Sequence, residues 1–154
     1  MKSIYSNTKD MLDSLKPLEL PPHALQWLID LNQAVQGLDD WHDEDPIPQN
    51  EKLKVIHLCL VGLSGNPFFL QNYHRLLPLL NSFILKWSAA NDIEDNRLKE
   101  HLPKAYMWRA GFYDIVLEVV SIVYGFDVAS NLSSYVLKMY GETYDEYSKE
   151  FLNG

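Results

Sequence analysis

Cysteine is almost missing from this chain: Cys59 is the only one in 154 residues. A lone cysteine cannot close an internal disulfide, which suits a reducing compartment and a cytoplasmic location. It lies in an apolar run, and His57, two positions away, points elsewhere on a helix. Cys59 therefore reads as a small buried hydrophobe, not a nucleophile. Glycine is scarce as well, and no Asn-Gly or Asp-Gly pair stands between alternating runs, so the hairpin signal of β-proteins is absent. The chain holds no glycine-rich phosphate loop, serine elbow or dinucleotide fingerprint. Long apolar runs are lacking too. The longest, Ile115 to Tyr124, contains Glu118 and falls far short of the roughly 20 residues that span a bilayer. The opening MKSIYSNTKDMLDSL has no secretory apolar core, and neither end carries a lipidation signal. Basic charge is thin: the net charge is −8, and Arg97, Lys99, Lys104 and Arg109 are interrupted by Glu100. Such a surface repels nucleic-acid phosphate and anionic membrane. The five histidines show no zinc spacing.

What the chain does have is apolar residues at helical spacing. Its length and hydrophobic content suit a single domain over residues 1–154 that needs no disulfide or zinc staple. The pattern predicts an all-α, compact bundle of about six helices with a buried central helix. A first helix covers Ser3 to Leu15 and is stopped by Pro17 and the Pro21–Pro22 pair. A second starts near Pro22 and runs to about Asp40, or Asp43 if the acidic cluster is helical. It presents Leu25, Leu28, Ile29, Asn32 and Val35 on one face. A third spans Glu51 to Leu63. Asn66 caps a fourth with Pro67 at its first position; it runs to about Ala90, bent by Pro78. The stretch Asn91 to Asn96 reads as a polar break. The fifth, strongest from Lys104 to Tyr124, is apolar nearly all round and is the expected central helix. Gly125 ends it, and a sixth runs from Val128 to Tyr140. Tyr144, Tyr147 and Phe151 keep helical spacing in the tail, which docks as a last turn.

The first chemical signal is Asp39-Asp40-Trp41-His42-Asp43-Glu44-Asp45. Crowded carboxylates repel, and water, salt or a cation must offset this. At helical spacing Asp40 and Asp43 share a face, with Asp39 close to it. Asp30, Gln33, Gly37 and Asp40 form an upstream stripe that extends it. Carboxylates so placed suit Mg²⁺, a hard ion that keeps waters for a diphosphate to replace. The run resembles the first aspartate-rich motif, Asp-Asp-x-x-Asp, of class I isoprenoid synthases. That resemblance implies an all-α fold binding a prenyl diphosphate through Mg²⁺. The alternative is a solvated acidic helix end and loop.

The second signal is Arg109, Asp114 and Glu118 on the expected central helix. Asp114 and Glu118 are four apart and share a face. They either complete a metal site with Asp39, Asp40 and Asp43 or form internal ion pairs with Arg109 or Arg75. The run Phe112 to Leu117, followed by Val123 to Asp127, is similar to the second-motif helix of all-α nucleotide pyrophosphatases. That similarity implies Mg²⁺ held by carboxylates of two helices and cleavage of a nucleoside triphosphate. A third group, His74 and Arg75 with Arg109, is a candidate phosphate grip; the alternative is helix capping and solvation. The tryptophans and tyrosines read as core and interface material, because no basic stripe accompanies them.

Two functions from different classes follow. One is a Mg²⁺-dependent protein handling a diphosphate-containing small molecule. The other is a non-enzymatic helical interaction or assembly protein, such as a phage or accessory factor, forming a homo-oligomer through its helical faces.

Overall fold

Proline and glycine set the helix boundaries, and apolar periodicity fills the spaces between them. The computed structural model describes residues 4–152, with side chains from residue 8 onward. It is all-α, with no strand among the described residues. In chain order the helices are α1 (Ile4–Leu15), α2 (Pro22–His42), α3 (Gln49–His57), α4 (Pro67–Asp95), α5 (Leu102–Arg109), α6 (Gly111–Tyr124), α7 (Phe126–Lys138) and α8 (Tyr144–Leu152). The expected start of the first helix at Ser3 lies outside the described residues. Packing divides the chain into two compact units, Met1–Tyr73 and His74–Gly154, and the division falls inside α4.

In the first unit α2 is the core helix, with α1, α3 and a π-helical segment, Leu58–Gly62, packed on it. It buries Ala24, Trp27, Leu28, Leu31 and Ala34. Of the expected Leu25–Leu28–Ile29–Asn32–Val35 stripe, Leu28 and Ile29 are buried and Leu25, Asn32 and Val35 are half-buried, so the buried face is centred nearer Trp27 and Leu31. Trp27 sets the register: its indole is fully buried and stacks on Phe69, with centroids 5.6 Å apart. Gly37 lets α3 approach, since a Cβ there would collide with Val55 Cγ2. Asn66 caps α4 as expected, its Oδ1 accepting from Phe68 N–H (2.8 Å) and Phe69 N–H (3.2 Å). Its amide also donates to the His23 carbonyl at 3.0 Å.

One expectation in this unit is overturned. Cys59 is exposed, not buried. The π segment inserts an extra residue into the turn, so Leu58 takes the core position while Cys59, Leu60 and Val61 face outward.

In the second unit α6 buries Phe112, Ile115, Val116, Val119 and Val120 along one stripe and packs along α7. The expected Lys104–Tyr124 helix is broken at Ala110 into α5 and α6. Gly111 follows the break, close against the Phe83 ring. Gly125 has φ +88° and ψ 172°, a conformation open essentially to glycine alone, and it separates α6 from α7. α4 runs through Pro78 and continues to Asp95, past the expected end at Ala90. The tail forms a full helix, α8, that packs on α5. Ala90, Leu102, Ala105 and Tyr147 make a local core there, with Ile93, Tyr106, Tyr144 and Phe151 around it.

Candidate functional site

The acidic cluster lies where α2 ends. Asp39 and Asp40 occupy its last turns and Asp43 is its C-cap. Asp45 N–H bonds the Asp40 carbonyl at 2.9 Å and Glu44 N–H the Trp41 carbonyl at 3.3 Å. These two bonds make a Schellman ending, with Glu44 at φ 60° where glycine is usual. The cluster thus concentrates negative charge at the negative end of a helix dipole, an unfavourable placement. Asp40 is buried and accepts a hydrogen bond from Gln36 Nε2 at 3.3 Å. Burial pushes its pKa up, and the charges of Asp45, Asp39 and Glu51 add to the rise, while Gln36 opposes it. Asp43 is exposed, with its Oδ1 3.1 Å from His42 Nδ1. The upstream stripe is spent on packing: Gln33 donates to Thr8 Oγ1 at 2.9 Å, Asp30 accepts from Gln26 at 2.8 Å, and Gly37 meets Val55.

Asp114 and Glu118 point away from the buried stripe of α6, and each has a cation. Lys86 Nζ lies 2.6 Å from Asp114 Oδ2, and Arg75 Nε lies 2.6 Å from Glu118 Oε1. Glu118 thus has one of the two partners the alternative reading named, Arg75, while Asp114 has Lys86, which that reading did not name; both pairs are partly exposed. Arg109 goes elsewhere. Its guanidinium grips Glu94 through two nitrogens, one of them Nε at 3.0 Å, and also donates to Asn91 Oδ1. Tyr147 donates its hydroxyl to Glu94 Oε2 at 2.8 Å. Burial, then the Glu94 carboxylate, pushes the Tyr147 pKa far above the ordinary phenol range. Arg75 and Arg109 are thus both engaged by carboxylates of their own unit, and His74 is exposed on α4. Among the described residues no three His, Cys, Asp or Glu side chains converge in a way that could hold a metal ion.

A second feature lies outside these charged clusters. Between Glu51 and Asp92 the chain contains no carboxylate, only Lys52, Lys54, Arg75 and Lys86 as fixed charges. In an acidic protein this is a long uncharged-to-basic interval. It also carries many of the large apolar side chains left in water. On α3 and the π segment these are Leu53, Ile56, Leu60 and Val61; on α4 they are Leu70, Tyr73, Leu77, Ile84 and Leu85. Leu77, Ile84 and Leu85 remain 48, 59 and 62% exposed, too much for side chains that pack within their own unit. On α4, Leu77 and Ile84 lie seven residues apart, and Leu85 falls outside that repeat. Leu77 and Ile84 fall at one position of the heptad, with Leu80 and Trp87 three residues after each. Leu70 and Tyr73 begin the same repeat in the sequence. Apolar residues at these two heptad positions form the seam of a coiled coil. The signal was in the sequence as a 3.5-residue period, but a core helix shows nearly the same pattern, and only exposure separates them.

Comparison with protein-family models, curated proteins and solved structures finds no match for this chain. No helix among the described residues is by itself long and apolar enough to cross a membrane.

Proposed function

We propose that this chain is a non-enzymatic helical interaction protein that assembles by pairing the exposed seam of α4 with the same seam on a second copy. The observation that carries this reading is the heptad of exposed apolar residues Leu77 and Ile84, flanked by Leu80 and Trp87. Burying such a seam removes apolar area from water, the dominant favourable term in association. The choice of a second copy rests on charge. Two chains of net charge −8 repel, yet α4 has no carboxylate before Asp92. Its two cations, Arg75 and Lys86, are already neutralised by Glu118 and Asp114. The seam is therefore the surface on which two acidic chains meet with no like charges opposed.

The competing reading, a Mg²⁺-dependent protein acting on a diphosphate through Asp39, Asp40, Asp43, Asp114 and Glu118, draws less support. Asp114 and Glu118 already have basic partners, Lys86 and Arg75 respectively. Sedimentation equilibrium tests the proposal. A dimer at micromolar concentration is expected, and Leu77→Glu/Ile84→Glu should be monomeric with an unchanged helical circular dichroism spectrum. A wild-type monomer at about 200 μM, or apolar-face binding to anionic vesicles instead of to itself, would overturn it. So would Mg²⁺ binding lost in Asp40→Asn/Asp43→Asn, which would restore the diphosphate reading.

A further inference from the structure

In the second unit the helices leave a hollow of about 280 Å³. Its floor and walls are Ala89, Ala90 and Ile93 of α4 with Ala105 and Trp108 of α5. The hollow exists because three of these residues are alanines: a leucine at any of them would fill part of it. Ala90 and Ala105 belong to the buried cluster beneath, so the floor is the roof of a packed core and is rigid. Trp108 stands beside the opening with nearly half its surface in water. An exposed indole lining an apolar hollow is an uncompleted contact, and the size sits just below the range of small-molecule pockets, roughly 300–1,000 Å³.

Two ionisable side chains, Lys104 and His101, complete the lining, with Lys104 Nζ 3.4 Å from His101 Nδ1. Glu100 lies 3.4 Å from the other ring nitrogen of His101 and is highly exposed. Arg97 and Lys99 belong to the same segment, which thus holds three fixed cations against one carboxylate in a chain of net charge −8. An apolar chamber with one ammonium, that of Lys104, among its lining residues suits a molecule with an apolar body and an anionic end. The hollow is many times larger than a single water site and has room for an acyl chain of limited length.

We propose that this hollow binds a medium-chain fatty acid, with the acyl chain against Trp108 and the three alanines and the carboxylate on Lys104. The inference is independent of the α4 seam, since the seam variants leave the hollow intact.

Isothermal titration with sodium decanoate, below its micelle concentration, tests it. Saturable one-to-one binding is expected, with decanol at least tenfold weaker. Lys104→Glu, an exposed change that leaves the core untouched, should weaken decanoate tenfold or more and decanol little. Ala89→Leu, on the half-buried wall, should abolish both while leaving the melting temperature near wild type. Should Ala89→Leu unfold, Trp108→Ala, at an exposed position, replaces it and should weaken both ligands at least tenfold. Absence of saturable decanoate binding overturns the proposal, as does binding that survives Ala89→Leu or Trp108→Ala. Equal affinities for decanoate and decanol, unaffected by Lys104→Glu, overturn the assignment of an anionic ligand.

Discussion

Glu94 is the residue on which the second unit's polar interior depends. Its carboxylate is buried and compensated by the Arg109 fork and the Tyr147 hydroxyl. Removing one partner of a buried pair leaves an uncompensated charge, which costs about 3–5 kcal/mol, while replacing both is far milder. Arg109→Met should therefore destabilise by roughly that amount in urea unfolding. The double variant Glu94→Gln/Arg109→Met should lose clearly less than the two single losses added together. At Asp40 the sign is the opposite of a helpful carboxylate. Its pKa is raised above the unfolded value of 3.8, so the native state holds the proton more tightly. The stability this provides is complete below the unfolded pKa and lost as pH rises through the folded one. Asp40→Asn mimics the protonated form and keeps an acceptor for Gln36. Its stability relative to wild type should grow between about pH 4 and pH 7; a constant difference would contradict the cause assigned here.

At the scale of single elements, α8 shows how a short helix is held. Glu146 N–H bonds Thr143 Oγ1 at 3.2 Å, and Thr143 N–H bonds Glu146 Oε2 at 2.9 Å. This reciprocal pair is a capping box, readable in the sequence as Thr143-x-x-Glu146. Tyrosines then fix the helix in place: Tyr106 packs on Tyr140, Tyr144 and Tyr147, and its hydroxyl donates to the Glu142 carbonyl at 2.6 Å. Thr143→Ala should cost about 1 kcal/mol and raise amide exchange first within α8, ahead of α6. On α2, Gly37→Ala sets helix propensity against packing. Alanine gains up to about 1 kcal/mol in a helix interior, but its methyl group meets Val55. Overpacking costs about 1–3 kcal/mol, so a net loss is expected on thermal unfolding, and Gly37→Ala/Val55→Ala should not show the same clash.

For the molecule as a whole, the distribution of charge matters more than its total. The carboxylates lie on either side of the interval between Glu51 and Asp92, and the exposed seam of α4 lies within it. Two copies meeting on that seam gain from apolar burial and lose from the repulsion of their acidic remainders. Salt screens the second term and leaves the first intact. The proposed dimer should therefore tighten, by roughly threefold or more, between about 20 mM and 500 mM sodium chloride in sedimentation experiments. An interface held by charge pairs would weaken over the same range.

The class of fold and the punctuation of its helices were legible along the chain. Apolar spacing made it all-α, Asn66 and Pro67 started α4, and Gly125 divided α6 from α7, because each of these acts through neighbours a few residues away. Tertiary structure alone decided who faces whom. It centred the buried face of α2 nearer Trp27, which stacks on Phe69, and it brought Cys59 outward through a π-helical turn. It extended α4 past Ala90 because Glu94 found Arg109 and Tyr147, and it gave Asp114 and Glu118 to Lys86 and Arg75. Aspartates at metal-ligand spacing and aspartates bound to nearby cations read identically along a chain. The difference lies in which helix packs alongside, and burial and long-range contact fix that, where sequence spacing does not.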